Sequence, residues 1–407
     1  MNRVVVTGLG IYSCIGLNAA EVSDSLRGGR SGIVLDPERK ELGYRSCLAG
    51  IVPRPELKGL LDRRARIMMP EEAEFAYISS LQAIEAAGLH IPELRQNGCG
   101  IIFGNDSTVK AVYEAIDLVK QKKDTQLLGS SSIFQSMNST VTMNLSTIFG
   151  LTGVNFTLSA ACASGSHSVG IAYLLIKLGL QKMILCGGAQ EVNSYAFASF
   201  DGLGTFSLRE DNPAGSSRPF DRHRDGLVPS GGAASLIIES LESAEARGAN
   251  ILAEIMGYGF SSNGEHIAGS SIEGQVRSLQ MVLEKAGIAP EEVDYVNAHA
   301  TGTPSGDIAE AEAITTVFGP NTVPVSSTKS MTGHECWMAG ASELVYSILM
   351  MQGGFIAPNI NFEEPDEHSV KLNIVRKTIE TPLNTVLSNS FGFGGTNSSI
   401  ILKKFIK

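Results

Sequence analysis

The chain has 407 residues, 43% hydrophobic and 18% charged, with 44 glycines and a formal net charge of −10. That length and apolar share suit a large core in two domains or one duplicated body, and the acidic balance argues against nucleic acid as a partner. Its six cysteines are scattered without a C-x-x-C pair, so neither a metal site nor a disulfide framework is expected, and no apolar run is long enough to cross a bilayer.

Met1-Asn2-Arg3 runs straight into Val4-Val5-Val6, which leaves no room for a signal peptide and makes the cytoplasm the expected location. Arg3 to Gly10 reads as a strand ending in Thr7-Gly8-Leu9-Gly10. This resembles the opening of a dinucleotide fold, but Ser13 stands where the third glycine of G-x-G-x-x-G belongs, which argues against a nucleotide. Asn18 to Arg27 reads as a helix. Glu72 to Ala87 reads as an amphipathic one ending at Gly88. Between them lies the basic cluster Arg63, Arg64 and Arg66, and a second follows at Lys120, Lys122 and Lys123. Singly, each is a solvated surface. Together, on an acidic chain, they form a candidate landing patch for an acidic partner.

Gly100 to Phe103 is a buried strand by composition, followed by the polar loop Gly104-Asn105-Asp106-Ser107-Thr108. Val154 to Leu158 reads as another buried strand, and Val169 to Leu180 as a buried helix closed by Gly179. The small residues Ser159 to Ser168 between them allow a tight turn. Cys162 on that turn faces a helix N-terminus, which predicts a lowered pKa and a nucleophile; the alternative is a buried structural cysteine. Met183 to Cys186 and Ala233 to Glu239 are further strands.

From Ile251 the pattern starts over. Ser80-Leu81-Gln82-Ala83-Ile84 is echoed by Ser278-Leu279-Gln280-Met281-Val282. The strands Val293 to Asn297 and Val323 to Ser327, the helix Ala341 to Met351 and the closing strands Val386 to Ser388 and Ser398 to Leu402 repeat the order of the first half. The alternation argues for α/β layers built from two similar halves, 1–250 and 251–407, packed as one body. The second half carries polar turns at its strand ends: Asn297 to Asp307 with His299, Ser326 to His334, and Asn389 to Asn397. Neither histidine has a third zinc ligand at metal spacing. Ser326-x-x-Lys329 lacks the companion motifs of penicillin-binding enzymes.

These motifs, with Ala161-Cys162-Ala163-Ser164-Gly165, resemble end to end the elongating β-ketoacyl-acyl-carrier-protein synthases of the thiolase-like superfamily. The tract Gly354 to Asn361 is closer to their type I branch. The resemblance implies a thiolase-like α-β-α-β-α core, acyl carrier protein as partner, a homodimer and no cofactor beyond the carrier's own phosphopantetheine. It implies that Cys162 takes the acyl chain, that His299 and His334 stabilise the enolate of a decarboxylating malonyl thioester, and that Lys329, held by Glu343, supplies positive charge. It places Phe393 and Phe391 at the oxyanion hole and gate, Thr301 and Thr303 on the phosphopantetheine arm, Asp307 in support, and the two basic clusters at carrier docking. Asn297, Glu343 and Asn389 match a monovalent-cation site of some relatives.

The chain departs from the family at several points. Ala300 replaces a glycine after the first histidine. Glu335-Cys336-Trp337-Met338 replaces small residues after the second, with the sole Trp where glycine is usual. Ser107 lies in a loop that is more glycine-rich in the family. Ser107 and Trp337 therefore count among the residues that shape the substrate pocket. A ketosynthase of a polyketide or aryl-polyene pathway is the alternative enzyme reading. A thiolase would need a second catalytic cysteine, and a chain-length-factor-like partner subunit would lack Cys162.

Overall fold

The computed structural model describes residues 1–406. Its first half contains β1 (Val4–Ser13), α1 (Glu71–Ala86), β2 (Gly100–Gly104), α2 (Thr140–Phe149), β3 (Asn155–Leu158), α3 (Ser164–Lys177), β4 (Met183–Gln190) and β5 (Gly232–Ser240). The second contains β6 (Ala253–Ser262), α4 (Ile272–Ala286), β7 (Tyr295–Asn297), α5 (Pro304–Phe318), β8 (Pro324–Ser326), α6 (Ala339–Gly353), β9 (Thr385–Gly392) and β10 (Thr396–Lys403).

The two sets of strands follow one topology. The order is β3-β2-β4-β5-β1 in the first and β8-β7-β9-β10-β6 in the second. In each set three strands pair parallel, the fourth pairs antiparallel to them, and the fifth pairs antiparallel to the fourth. The sets meet only where Val4–Val6 pair with Ala253–Ile255. Helices α3 and α6 touch strands of both, α1 and α2 cover the first sheet, and α4, backed by α5, covers the second. The result is the α-β-α-β-α layering of a thiolase-like fold. Every residue of α6 from Ala339 to Met351 is buried, as its largely apolar and small composition requires of a central helix, and its one acidic residue, Glu343, is paired with Lys329. Among the described residues no helix is long and apolar enough to cross a membrane.

The glycines of Thr7-Gly8-Leu9-Gly10 serve packing. A Cβ on Gly8 or Gly10 would stand 2.1 Å and 1.9 Å from the carbonyl oxygens of Ala83 and Ser79 in α1. Gly257 and Gly259 of β6 lie the same way beneath Val282 and Ser278 of α4. The pair lets a helix lie directly on a strand, which accounts for the motif without a nucleotide.

Two local expectations are corrected. The strand before the nucleophile, read as buried, is the free edge of the sheet, with Asn155 and Phe156 exposed. The helix after it begins at Ser164 rather than Val169. Its first turn crosses α6 so closely that a Cβ on Gly340 would stand 2.5 Å from the Ser166 Cβ, so the small residues belong to the helix.

Candidate active site

The nucleophile candidate sits in a short 3₁₀ turn, Ala161–Ala163, immediately before α3. Ala161 holds a left-handed φ of 46°. The Ser164 hydroxyl locks the turn, accepting from the Ala160 N–H at 2.8 Å and donating to the Ala161 carbonyl at 2.7 Å. Cys162 is buried, and its own backbone N–H and that of Phe393 are directed at the sulfur. Burial pushes the thiol up to about 11, against the charge of Lys329 and the two N–H groups. The lowered pKa expected from the helix terminus is therefore not found, because desolvation of the thiolate outweighs it. What marks Cys162 is access: it lines a cleft of about 240 Å³ that opens to solvent, and no other cysteine borders that cleft.

The same cleft is lined by His299, His334, Thr301, Thr303, Asp307, Phe391 and Phe393, so residues 137 positions apart or more in the chain converge on one space. The two imidazoles meet edge to face with centroids 5.4 Å apart. Phe391 packs edge-on against His299 at 6.0 Å. His299 Nδ1 and both ring nitrogens of His334 are buried without a protein partner. Burial first, and then the charge of Lys329, hold both imidazoles well below the ordinary histidine range, so both are neutral at pH 7. A neutral ring carries one N–H donor, which is what a developing enolate oxygen requires. Lys329 is buried and its Nζ pairs with Glu343 Oε1. Burial raises that carboxyl to about 8, opposed by Lys329.

The loop carrying His299 is held by two carboxylates one turn apart at the start of α5. Glu310 accepts the N–H of His299 at 2.9 Å and of Ala300 at 2.6 Å. Asp307 accepts the N–H of Thr301 at 3.0 Å and of Gly302 at 3.1 Å. Thr301 and Thr303 join hydroxyls at 3.0 Å. Sequence reading found Asp307 and missed Glu310, although Asp307-x-x-Glu310 on a helix otherwise rich in alanine carried the signal. It also missed Phe200, Asn263 and Gln275, which line the cleft. Phe200 stacks on the gate candidate Phe393 at 6.2 Å. Trp337 does not line the cleft's open part; it is buried, donating from Nε1 to Ser107 Oγ at 3.2 Å.

Of the cation-site residues, Asn389 Oδ1 accepts from Ser399, Asn297 Oδ1 from Thr328 and Glu343 Oε1 from Lys329. Those oxygens are already engaged, and of this set only Glu343 Oε2 is buried without a partner. The basic clusters lie apart from the cleft. Arg63, Arg64 and Arg66 lie on the four-residue helix Arg63–Arg66, and Lys120 and Lys122 end the helix Val109–Lys122, with Lys123 as its C-cap. Arg64 instead borders a groove with Phe134, Met143 and Asn155 of the β3 edge.

Known proteins resemble this chain along its whole length. Residues 1–244 match the model of the beta-ketoacyl synthase N-terminal domain, and residues 252–363 that of its C-terminal domain. The chain is 43% identical over 99% of its length, and 99% of the relative's, to 3-oxoacyl-[acyl-carrier-protein] synthase 1 of Escherichia coli K12. The crystal structure of a beta-ketoacyl synthase from Burkholderia phymatum superposes with a TM-score of 0.94 at 34% identity, covering 100% of both chains. A type II polyketide ketosynthase, solved with its acyl-carrier protein and bound to the hexaketide, superposes at 0.90 with 29% identity, again over 100% of both chains.

Proposed function

The chain belongs to the β-ketoacyl synthase family, and from that premise we propose how its own residues divide the work of decarboxylative condensation in fatty-acid elongation. The thiol of Cys162 attacks an acyl thioester on the carrier protein. The acyl group moves to sulfur, and the thiol proton leaves with the departing pantetheine thiolate. Because the thiol is pushed up to about 11, this proton moves during attack rather than before it. The acyl carbonyl oxygen takes the place between the N–H groups of Cys162 and Phe393.

A malonyl thioester then enters the same cleft, its arm held by Thr301 and Thr303. Loss of carbon dioxide leaves an enolate, whose oxygen accepts hydrogen bonds from neutral His299 and His334. The enolate carbon attacks the acyl-Cys162 carbonyl. The tetrahedral oxyanion collapses, the carbon–sulfur bond breaks, and the thiolate takes a proton from water. Burial first, and then the charge of Lys329 fixed by Glu343, keep the imidazoles neutral throughout. The observation that carries this reading is two buried imidazoles with unpartnered ring nitrogens in one cleft with Cys162.

Finer points rest on the same reading. Two copies associate through the exposed edge of β3, the basic clusters receive the acidic carrier protein, and the enzyme works in the cytoplasm where that carrier is found. Intact-mass analysis after incubation with an acyl-carrier-protein thioester tests the central claim. One acyl adduct on Cys162, absent in Cys162→Ala, is expected. An adduct on Cys14, Cys186 or Cys336 overturns it.

A further inference from the structure

Condensation requires two substrates at once, and the structure offers one open cleft. The malonyl thioester and its arm must occupy that cleft, because His299, His334, Thr301 and Thr303 line it. The acyl tail on Cys162 needs separate space on the other side of the sulfur. There the chain packs Phe197, Phe206, Cys336 and Trp337 against Cys162, while Leu227 of the same cluster borders the open cleft. Phe197 is 1% exposed, Cys336 2% and Trp337 6%, so this side is filled by side chains. The indole is fixed from two directions. Its N–H is held by Ser107 Oγ at 3.2 Å, and its ring lies against Phe200 at 6.1 Å and 47°. Phe200 in turn stacks on Phe206 at 6.3 Å and on Phe393 at 6.2 Å.

We propose that Trp337, anchored by Ser107 and Phe200, closes the acyl side of Cys162 and makes this enzyme selective for short acyl groups. This rests on Cys162 being the acyl carrier. An indole occupies roughly the volume of six methylenes in a close-packed interior, so a chain of about that length enters only by displacing it. Displacement breaks the bond to Ser107 and disturbs the Phe200–Phe393 stack, which couples tail length to the gate.

Small thioesters test this without the carrier protein. Butyryl- and dodecanoyl-pantetheine are compared by the initial rate of acyl-Cys162 formation, read by intact mass. The wild-type enzyme should form the butyryl adduct at least tenfold faster. Trp337→Gly should raise the ratio of dodecanoyl to butyryl rates at least tenfold, and Ser107→Ala severalfold. An unchanged ratio in both variants overturns the proposal. Because Trp337 is the sole tryptophan, the wild-type enzyme reports on itself even where a variant fails to fold. Dodecanoyl-Cys162 should shift the indole emission to longer wavelength and butyryl-Cys162 should not; unmoved emission in a dodecanoyl adduct overturns the proposal. Absence of any Cys162 adduct with either thioester overturns the assignment of Cys162 as well, which separates the two failures.

Discussion

Ala161 and Cys336 hold the same left-handed backbone conformation, φ 46° and 45°, each as the first residue of a three-residue 3₁₀ turn that leads into a buried helix. The two turns pack against each other, and α3 and α6 follow them into the central layer. Cys162 and Trp337 therefore stand at equivalent positions of the two halves. The duplicated fold builds one helix entrance for a nucleophile and fills the matching one with bulk. A left-handed non-glycine residue costs about 1–2 kcal/mol, and here the same cost is carried at both entrances.

Replacing either cleft histidine by Ala should leave acylation of Cys162 measurable and cut malonyl-thioester decarboxylation by about a hundredfold or more, the usual cost of one oxyanion-type donor. Release of labelled carbon dioxide measures it. A full rate in His334→Ala would remove that residue from the mechanism.

Much of this site was legible in the sequence because it is built from local turns. The segments around Cys162, His299, His334 and Phe393 are short, glycine-flanked and placed at strand ends, so residue type and order reveal them. What the sequence hid depends on packing between distant segments. Nothing local says that Val154 to Leu158 forms a sheet edge, since an apolar run of that length reads equally as a central strand. The thiol pKa was misjudged because the helix terminus is visible in sequence while the desolvation that outweighs it is not. Glu310 was overlooked because its partners are backbone N–H groups eleven and ten residues earlier.

The depressed imidazole pKa values fix a pH profile. Groups held well below 6.5 remain neutral across pH 6–7, so the decarboxylation rate should be flat there and fall only in stronger acid. Lys329→Met removes a charge that disfavours protonation of both rings, so the acid limb should move to higher pH. Stability is the poorer readout. Below 6.5 the unfolded chain binds protons that the folded imidazoles refuse, which weakens the fold as pH falls. Glu310, Glu335 and Glu343, raised to about 7, 7 and 8, take up protons first in the folded state and act in the opposite direction. A pH–rate profile unchanged by Lys329→Met would refute its electrostatic role.

Glu310 should act through position. Glu310→Ala leaves the buried N–H groups of His299 and Ala300 unpaired, at about 1–3 kcal/mol each, and should lower the melting temperature by several degrees. Decarboxylation should fall with kcat, and KM for the malonyl thioester should change less. Glu310→Gln keeps an acceptor and should recover most of both. Loss of stability with full kcat at low temperature would leave Glu310 a purely structural residue.

Charge reversal at Arg63 and Arg66 should raise KM for carrier-bound thioesters and flatten its salt dependence, while pantetheine thioesters lack the acidic surface these residues would meet. Neither residue borders the cleft of its own chain. Equal loss on both substrate types would make the cluster structural.

The free edge of β3 carries the last prediction. An edge strand offers unpaired N–H and C=O groups, and monomers usually blunt it with charge, proline or a bulge. Asn155-Phe156-Thr157-Leu158 has none of these. Phe156 is 39% exposed, and Phe134 and Met137 nearby are 44% and 41% exposed. Met137, Met143, Phe156 and Thr157 line a shared groove along the edge. Exposed apolar side chains in this density mark a surface that is covered in solution. On the proposal that two copies associate here, a two-fold axis across the edge would join β3 to β3 antiparallel and continue the sheet through both molecules. The wild-type enzyme should sediment as a dimer at micromolar concentration. Phe156→Asp, which places a charge in each half of that seam, should shift it toward monomer by tenfold or more in the dissociation constant. Wild-type protein that sediments as a monomer, or a Phe156→Asp dimer of unchanged affinity, would place the interface elsewhere.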